Sequence, residues 1–190
     1  MLARAGIRAN QVTVLACALS ALIGALLTAR IASRAILLIL PPFLLLRMAM
    51  NALDGLLARE FGQQSDLGAY LNEITDVVSD AFLYLPFAWL PPFGALSIGA
   101  VILFAAISEM TGIIGVMIGA SRRYDGPMGK SDRAFAFGAM AAWIGFGGSV
   151  AKSVSWFFPG FMVLLMAVTI VNRIRNGLAE KKALASRIRC

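Results

Sequence analysis

The sequence predicts an all-α, polytopic membrane protein with six transmembrane helices behind a short N-terminal interfacial helix, and three observations lead there. Hydrophobic residues fill 59% of the 190 positions and charged residues only 14%, against about 25% charged in an ordinary water-soluble domain. The mean hydropathy is +0.81. The apolar residues gather in separate runs of the kind that cross a ~30 Å hydrocarbon core, a crossing that takes roughly 20 helical residues.

Taken in order, the expected spans are Val12 to Thr28, Ile36 to Leu57, Leu67 to Leu90, Ala95 to Gly119, Ala134 to Val150 and Phe157 to Val171. Polar or turn-forming links separate them at Arg30 to Arg34, Arg59 to Asp66, Pro91 to Gly94, Ser121 to Arg133 and Ala151 to Trp156. The first ten residues, with Arg4 and Arg8, are expected to lie as an interfacial helix, with Asn10 or Thr13 near the cap of the first span. A cleaved signal peptide is the alternative, but five more spans follow and no small-residue cleavage site closes the first run. Residues 173–190 read as a basic tail lying against anionic headgroups. The six spans leave no room for a soluble domain, so residues 1–190 are read as one membrane domain.

The formal charge of +7 does not indicate nucleic acid, because the basic residues sit at span ends. With a cytoplasmic N-terminus, thirteen Lys and Arg fall inside and three (Arg30, Arg34, Lys152) outside, with Arg47 left within a span. The positive-inside rule then puts both termini in the cytoplasm. The compact size suggests a bacterial inner membrane. Two cysteines and no histidine provide neither a disulfide framework nor a Cys/His zinc site. Any metal must be a hard cation held by oxygen, such as magnesium, manganese or calcium.

Five acids fall within the expected spans: Asp54, Glu73, Asp76, Asp80 and Glu109. Ionised carboxylates in hydrocarbon cost a few kcal/mol or more, so they usually face a polar cavity. Asn72, Asp76 and Asp80 repeat every four residues and share one helical face, with Glu73 beside it. Arg47, Asn51, Asp54 and Ala58 form a similar stripe on the preceding span. The short link between these spans contains Gly62, which predicts antiparallel neighbours whose stripes meet. Such an oxygen-rich cluster suits a divalent cation. The plainer reading is structural, with an acid paired to Arg47 or a backbone donor. Five acids against one intramembrane arginine leave that reading short of positive charge.

The stretch Asn51-Ala-Leu-Asp54-Gly55-Leu-Leu-Ala58-Arg59, eight residues, Gly68, three residues, Asn72, three residues, Asp76 resembles the signature of the CDP-alcohol phosphotransferases. That pattern runs D-x-x-D-G-x-x-A-R, eight residues, G-x-x-x-D-x-x-x-D. Every spacing agrees, and Asp54, Gly55, Ala58, Arg59, Gly68 and Asp76 agree in identity. Ala9-Asn10-Gln11-Val12-Thr13 also looks like the family's start. The resemblance implies transfer of a substituted phosphate, with phosphatidyl the expected group, from a CDP-alcohol such as CDP-diacylglycerol to a small acceptor alcohol. It also implies one or two Mg2+ or Mn2+ ions at Asn51, Asp54, Asn72 and Asp76, with Asp76 as the base. Gly55, Ala58, Arg59 and Gly68 would lie against the nucleotide, and a homodimer is expected by analogy.

Two motif aspartates are asparagines here, Asn51 and Asn72. They keep an oxygen ligand but lose charge, so the site takes one metal, takes two weakly, or borrows charge from Glu73 or Asp80. Asp80, one turn beyond Asp76, is the candidate substitute ligand or base. The polar link 121–133 offers Lys130 and Arg133 at the mouth of the fifth span as phosphate-binding groups, while Arg122 and Arg123 serve either binding or orientation. Glu109 is either an internal partner or part of the acceptor pocket. Gly115 and Gly119 form a G-x-x-x-G that can permit close helix contact. Two other functions compete with a transferase. One is a nucleotide-lipid-binding relative whose chemistry was lost with the two asparagines. The other is a small ion-coupled transporter, although the two halves show no matching interrupted helices.

Overall fold

The computed structural model describes residues 6–189. They form six α-helices: α1 (Ala9–Ala29), α2 (Leu40–Glu60), α3 (Asp66–Tyr84), α4 (Ala95–Met117), α5 (Lys130–Gly145) and α6 (Val154–Arg189). Short 3-10 turns, Arg34–Ile39 and Leu85–Trp89, lead into α2 and out of α3. No strand occurs among the described residues. The all-α expectation holds, and each expected span has its helix.

Four of these segments are long and apolar enough to cross a bilayer: Ala9–Ala29, Arg34–Glu60, Ala95–Met117 and Val154–Ser186. The other two fall short for physical reasons. α3 carries Asp66, Glu73, Asp76 and Asp80. α5 has only 16 residues, or about 24 Å at 1.5 Å per residue, and it opens on Lys130, Asp132 and Arg133. Neither presents an all-round apolar surface, because each turns a polar stripe toward the bundle interior.

Three boundaries differ from expectation. Residues 1–5 of the expected interfacial helix lie outside the described residues. Gly6 to Arg8 are not helical, and Gly6 has φ +77°. The first span is capped at Arg8, whose N–H donates to Gln11 Oε1 at 2.9 Å, so Asn10 lies near the cap, in the first turn, and Thr13 one turn further in. The last span does not stop near Val171, since α6 runs unbroken through the basic tail to Arg189.

The packing divides the bundle into two ends. α1 lies against α2 and α3, α2 against α5, and α4 along α6. One end is an apolar core containing Leu27, Leu40, Tyr84, Phe87, Phe137 and Met166. There Phe137 stacks on Tyr84 at 4.0 Å and meets the edges of Phe87 and Phe158 at 5.0 and 5.7 Å. The other end carries the charged side chains and opens into a cavity.

The G-x-x-x-G of α4 is used within the chain. Gly119 has φ +84° and turns the chain out of α4. A Cβ on Gly115 would lie 2.9 Å from the Ser121 carbonyl oxygen, so this glycine admits the returning loop.

Candidate functional site

The cavity encloses about 960 Å3 and is open to solvent. α2 supplies Asn51, Asp54, Gly55, Ala58 and Arg59, and α3 supplies Gly68, Asn72, Glu73 and Asp76. The two polar stripes therefore do face each other. α1 adds Asn10 and Thr13, and Glu109, Arg122, Lys130 and Arg173 close the opposite wall.

The segment 51–76 folds back on itself because α2 ends at Glu60 with Phe61 as its C-cap, Gly62 takes φ +63° and Ser65 caps α3. The Ser65 hydroxyl accepts the Gly68 N–H at 3.0 Å. Gln63 fixes this turn to the start of α1, accepting the Ala9 N–H at 2.7 Å. Gly68 is tight for the same reason, since a Cβ there would sit 2.8 Å from Asn10 Oδ1. Gly55 is different, because its nearest neighbour would be the Arg59 guanidinium at 3.7 Å. A ligand can therefore approach the α2 backbone at this point. Arg59 is exposed at the rim and makes no ion pair among the described residues.

Asp54 is buried, and the Thr13 hydroxyl lies 2.7 Å from its Oδ2. Asp76 Oδ1 meets three donors: the Lys130 ammonium, Asn51 Nδ2 at 3.1 Å, and more distantly Arg47 at 3.6 Å. Its Oδ2 has no hydrogen-bond partner among the described residues. Asp54 and Asp76, with the amide oxygens of Asn51 and Asn72 on the same wall, form a hard-ligand set. Its two negative charges match one Mg2+ or Mn2+ and fall short of two. No cluster of three or more Asp, Glu, His or Cys side chains occurs among the described residues. Two carboxylates and two amide oxygens are thus the donors this wall offers a hard cation.

Asp80 and Arg133 stand elsewhere than the sequence suggests. Asp80 is 4% exposed and does not line the cavity. Arg47 donates to its Oδ1 at 2.5 Å and Arg133 to its Oδ2 at 3.0 Å. With both oxygens held by guanidinium groups, it has none to lend to a metal or an acceptor hydroxyl. Arg133 is 1% exposed and bridges Asp80 to Glu109 at 2.9 Å, so it is no phosphate ligand at the mouth of α5. Glu73 lines the cavity beside Asn72 and has one oxygen engaged by Arg122, whereas Asp80 has both oxygens taken.

The apparent excess of intramembrane acid also disappears. Arg122 pairs with Glu73 and lies 3.8 Å from Glu109. Arg173 lies 3.7 Å from Glu109 and donates to the carbonyls of Ser108 and, at 3.3 Å, Asp125. With Arg47, Lys130 and Arg133, five cations meet four of the five acids, Glu73, Asp76, Asp80 and Glu109, while Asp54 is met by the Thr13 hydroxyl. Arg173 was hidden in the sequence because it heads the basic tail, and only the helical continuation of α6 turns it inward. Thr13 and Asn10 had a faint signal in the 9–13 stretch.

Outside the helices, Arg123 forms a two-pronged pair with Asp125, both contacts at 2.8 Å. These bonds hold the Asp125 carboxyl below its usual range, with Asn176 assisting. Arg123 also reaches Glu180 at 2.6 Å, which ties the 121–129 loop to α6. This arginine orders the loop and does not line the cavity.

Comparison with known proteins agrees with this geometry. The chain is 42% identical over 178 residues, covering 90% of its length and 85% of the relative's, to the Escherichia coli (strain K12) protein called inner membrane protein YnbA. The sequence pattern of the CDP-alcohol phosphatidyltransferase family matches residues 7–171, which include every cavity-lining residue except Arg173. The chain is therefore a multi-pass integral membrane protein belonging to the CDP-alcohol phosphatidyltransferase family.

Proposed function

We propose that this chain transfers a phosphatidyl group from CDP-diacylglycerol to a small acceptor alcohol and releases CMP, as a step in phospholipid synthesis at a bacterial inner membrane. The observation that carries the reading is the convergence of Asp54, Gly55, Arg59, Gly68 and Asp76 on one solvent-open cavity. Gly55 and Ala58 let the nucleotide lie against α2, and Arg59 meets its phosphates from the rim. Gly68 holds the turn that brings α3 to α2.

Asp54, Asp76, Asn51 and Asn72 would hold one Mg2+ or Mn2+, which polarises phosphoryl oxygens and offsets the charge that develops on them. The acceptor oxygen bonds to the phosphatidyl phosphorus as the bond from that phosphorus to the bridging pyrophosphate oxygen breaks. CMP leaves with the bridging oxygen. The hydroxyl proton passes to Asp76, whose Oδ2 has no protein partner, provided the acceptor is held within hydrogen-bond reach. Lys130 pairs with Asp76 in the resting site and fixes its position. Asp80 and Arg133 act as positioning residues: they fix Arg47 and the start of α5 around the cavity and touch no reacting atom. Six crossings with both termini in the cytoplasm, and a homodimer, complete the proposal.

A second reading has a specific observation behind it. Asn51 turns its NH2 toward Asp76, an arrangement suited to a relative that binds the nucleotide lipid without turning it over. CMP release from CDP-diacylglycerol with Mn2+ or Mg2+ and a panel of alcohols separates the two. The transferase predicts acceptor-dependent CMP that vanishes in Asp54→Ala and Asp76→Ala. Binding of the nucleotide lipid with no CMP from any acceptor would select the second reading.

A further inference from the structure

We infer that the acceptor alcohol carries no net negative charge, being an uncharged polyol or an amino alcohol rather than a phosphorylated alcohol. The inference rests on the transferase reading above and names the class of its second substrate.

Recognition of a phosphate takes cations free to form charge-assisted hydrogen bonds. At the wall facing the motif, each cation already has a carboxylate of this chain. Arg122 is held by Glu73 with Glu109 nearby, Arg173 lies against Glu109, and Lys130 is on Asp76. Releasing Arg122 to a phosphate would leave Glu73, whose side chain is 21% exposed, beside a dianion. Like charges so placed repel with no water shell between them to screen them. Glu109 has no spare partner to offset this, since it is already shared among Arg122, Arg133 and Arg173.

Charge balance over the whole cavity points the same way. Six carboxylates and four cationic side chains line it, so one divalent ion brings the lining to neutrality. The donor's pyrophosphate then adds negative charge, and no net positive charge remains for an anionic acceptor.

The test uses purified full-length protein in lipid nanodiscs with CDP-diacylglycerol and Mn2+. CMP release is compared for glycerol, myo-inositol, ethanolamine and sn-glycerol 3-phosphate. At least one of the first three should exceed glycerol 3-phosphate in kcat/KM by about tenfold or more, the minimum set by a like-charge cost of a kcal/mol or two. Glu73→Gln, which frees Arg122, should move that ratio toward glycerol 3-phosphate by about the same factor. Glycerol 3-phosphate as the best wild-type acceptor overturns the inference. A binding arm works without turnover: thermal stability is measured with CDP, Mn2+ and each alcohol in turn. A larger shift with glycerol 3-phosphate than with any of the other three overturns the inference, and the reverse order supports it. The absence of CMP with every acceptor removes the transferase reading instead, and the binding arm still reads the acceptor end.

Discussion

The contact between α3 and α5 shows two solutions to burial within a single helical turn. Asp80 and Tyr84 are one turn apart on α3, and Arg133 and Phe137 are one turn apart on α5. Tyr84 stacks on Phe137 at 4.0 Å, while one turn nearer the cavity Asp80 meets Arg133 at 3.0 Å. The stacked rings are held by shape and removal from water, and their geometry tolerates adjustment. The ionic pair needs every partner present, because a buried charge that loses its counter-charge keeps its desolvation cost. The apolar end therefore serves as a packed anchor. The polar end is a lattice in which Asp76, Asp80, Glu73 and Glu109 are held at fixed positions by arginines arriving from α2, α5, α6 and the 121–129 loop.

The sharpest way to break the comparison is chemical. Asp76→Ala should lower CMP release by ~10^3-fold, the range for losing a positioned general base, while the aromatic cluster, and with it the thermal midpoint, changes little. Turnover retained within about tenfold of wild type would remove Asp76 as the base. Next comes Asp80→Asn, which leaves Arg47 and Arg133 short of a carboxylate and should destabilise the protein by about 3 kcal/mol, as breaking a buried ion pair does. Its Mn2+ affinity should stay near wild type, whereas Asp76→Asn should lose Mn2+ binding. A fall in Mn2+ affinity in Asp80→Asn equal to that in Asp76→Asn would put Asp80 among the metal ligands.

Phe137→Leu tests the other end. It should cost about 1–2 kcal/mol, from the lost ring contacts and the small cavity left in the core, and it should leave CMP release unchanged in folded protein. A smaller effect is expected from Gly68→Ala, whose Cβ would press on Asn10 Oδ1. This change should shift α3 by a few tenths of an ångström and weaken nucleotide-lipid binding by about tenfold, the scale of small misplacements at a preorganised site.

The smallest effect concerns pH. The Arg123 pair lowers the folded-state value of Asp125, so its stabilisation is fully present above the unfolded carboxyl value. It is lost as pH falls through the lowered folded value. Arg123→Gln should flatten the acid limb of the stability profile between those two values and leave neutral-pH stability within the small range of exposed ion pairs. An unchanged acid limb would remove Asp125 as its source.

Much of the polar end was legible because helical periodicity is local. Asn51, Asp54 and Ala58 lie on one face of α2, and Asn72, Asp76 and Asp80 on one face of α3, whatever the rest of the chain does. Gly62 made the two helices antiparallel neighbours. The partners of these acids were not legible. Arg122, Lys130 and Arg173 stand 49, 54 and 64 residues from Glu73, Asp76 and Glu109, and in sequence they look like orienting charges at span ends. Asp80 looked available for the same reason, since nothing local announces that Arg47 and Arg133 occupy both its oxygens.

By itself, then, the sequence determined the membrane class, the helices and the face on which each motif residue stands. Those properties follow from hydropathy and a repeat of 3.6 residues per turn. Only the tertiary structure decided which carboxylates are free and which are spent. Ion pairing depends on distances between elements remote in sequence: arginines hold both oxygens of Asp80 and one of Glu73, while Asp76 faces the cavity beside Lys130.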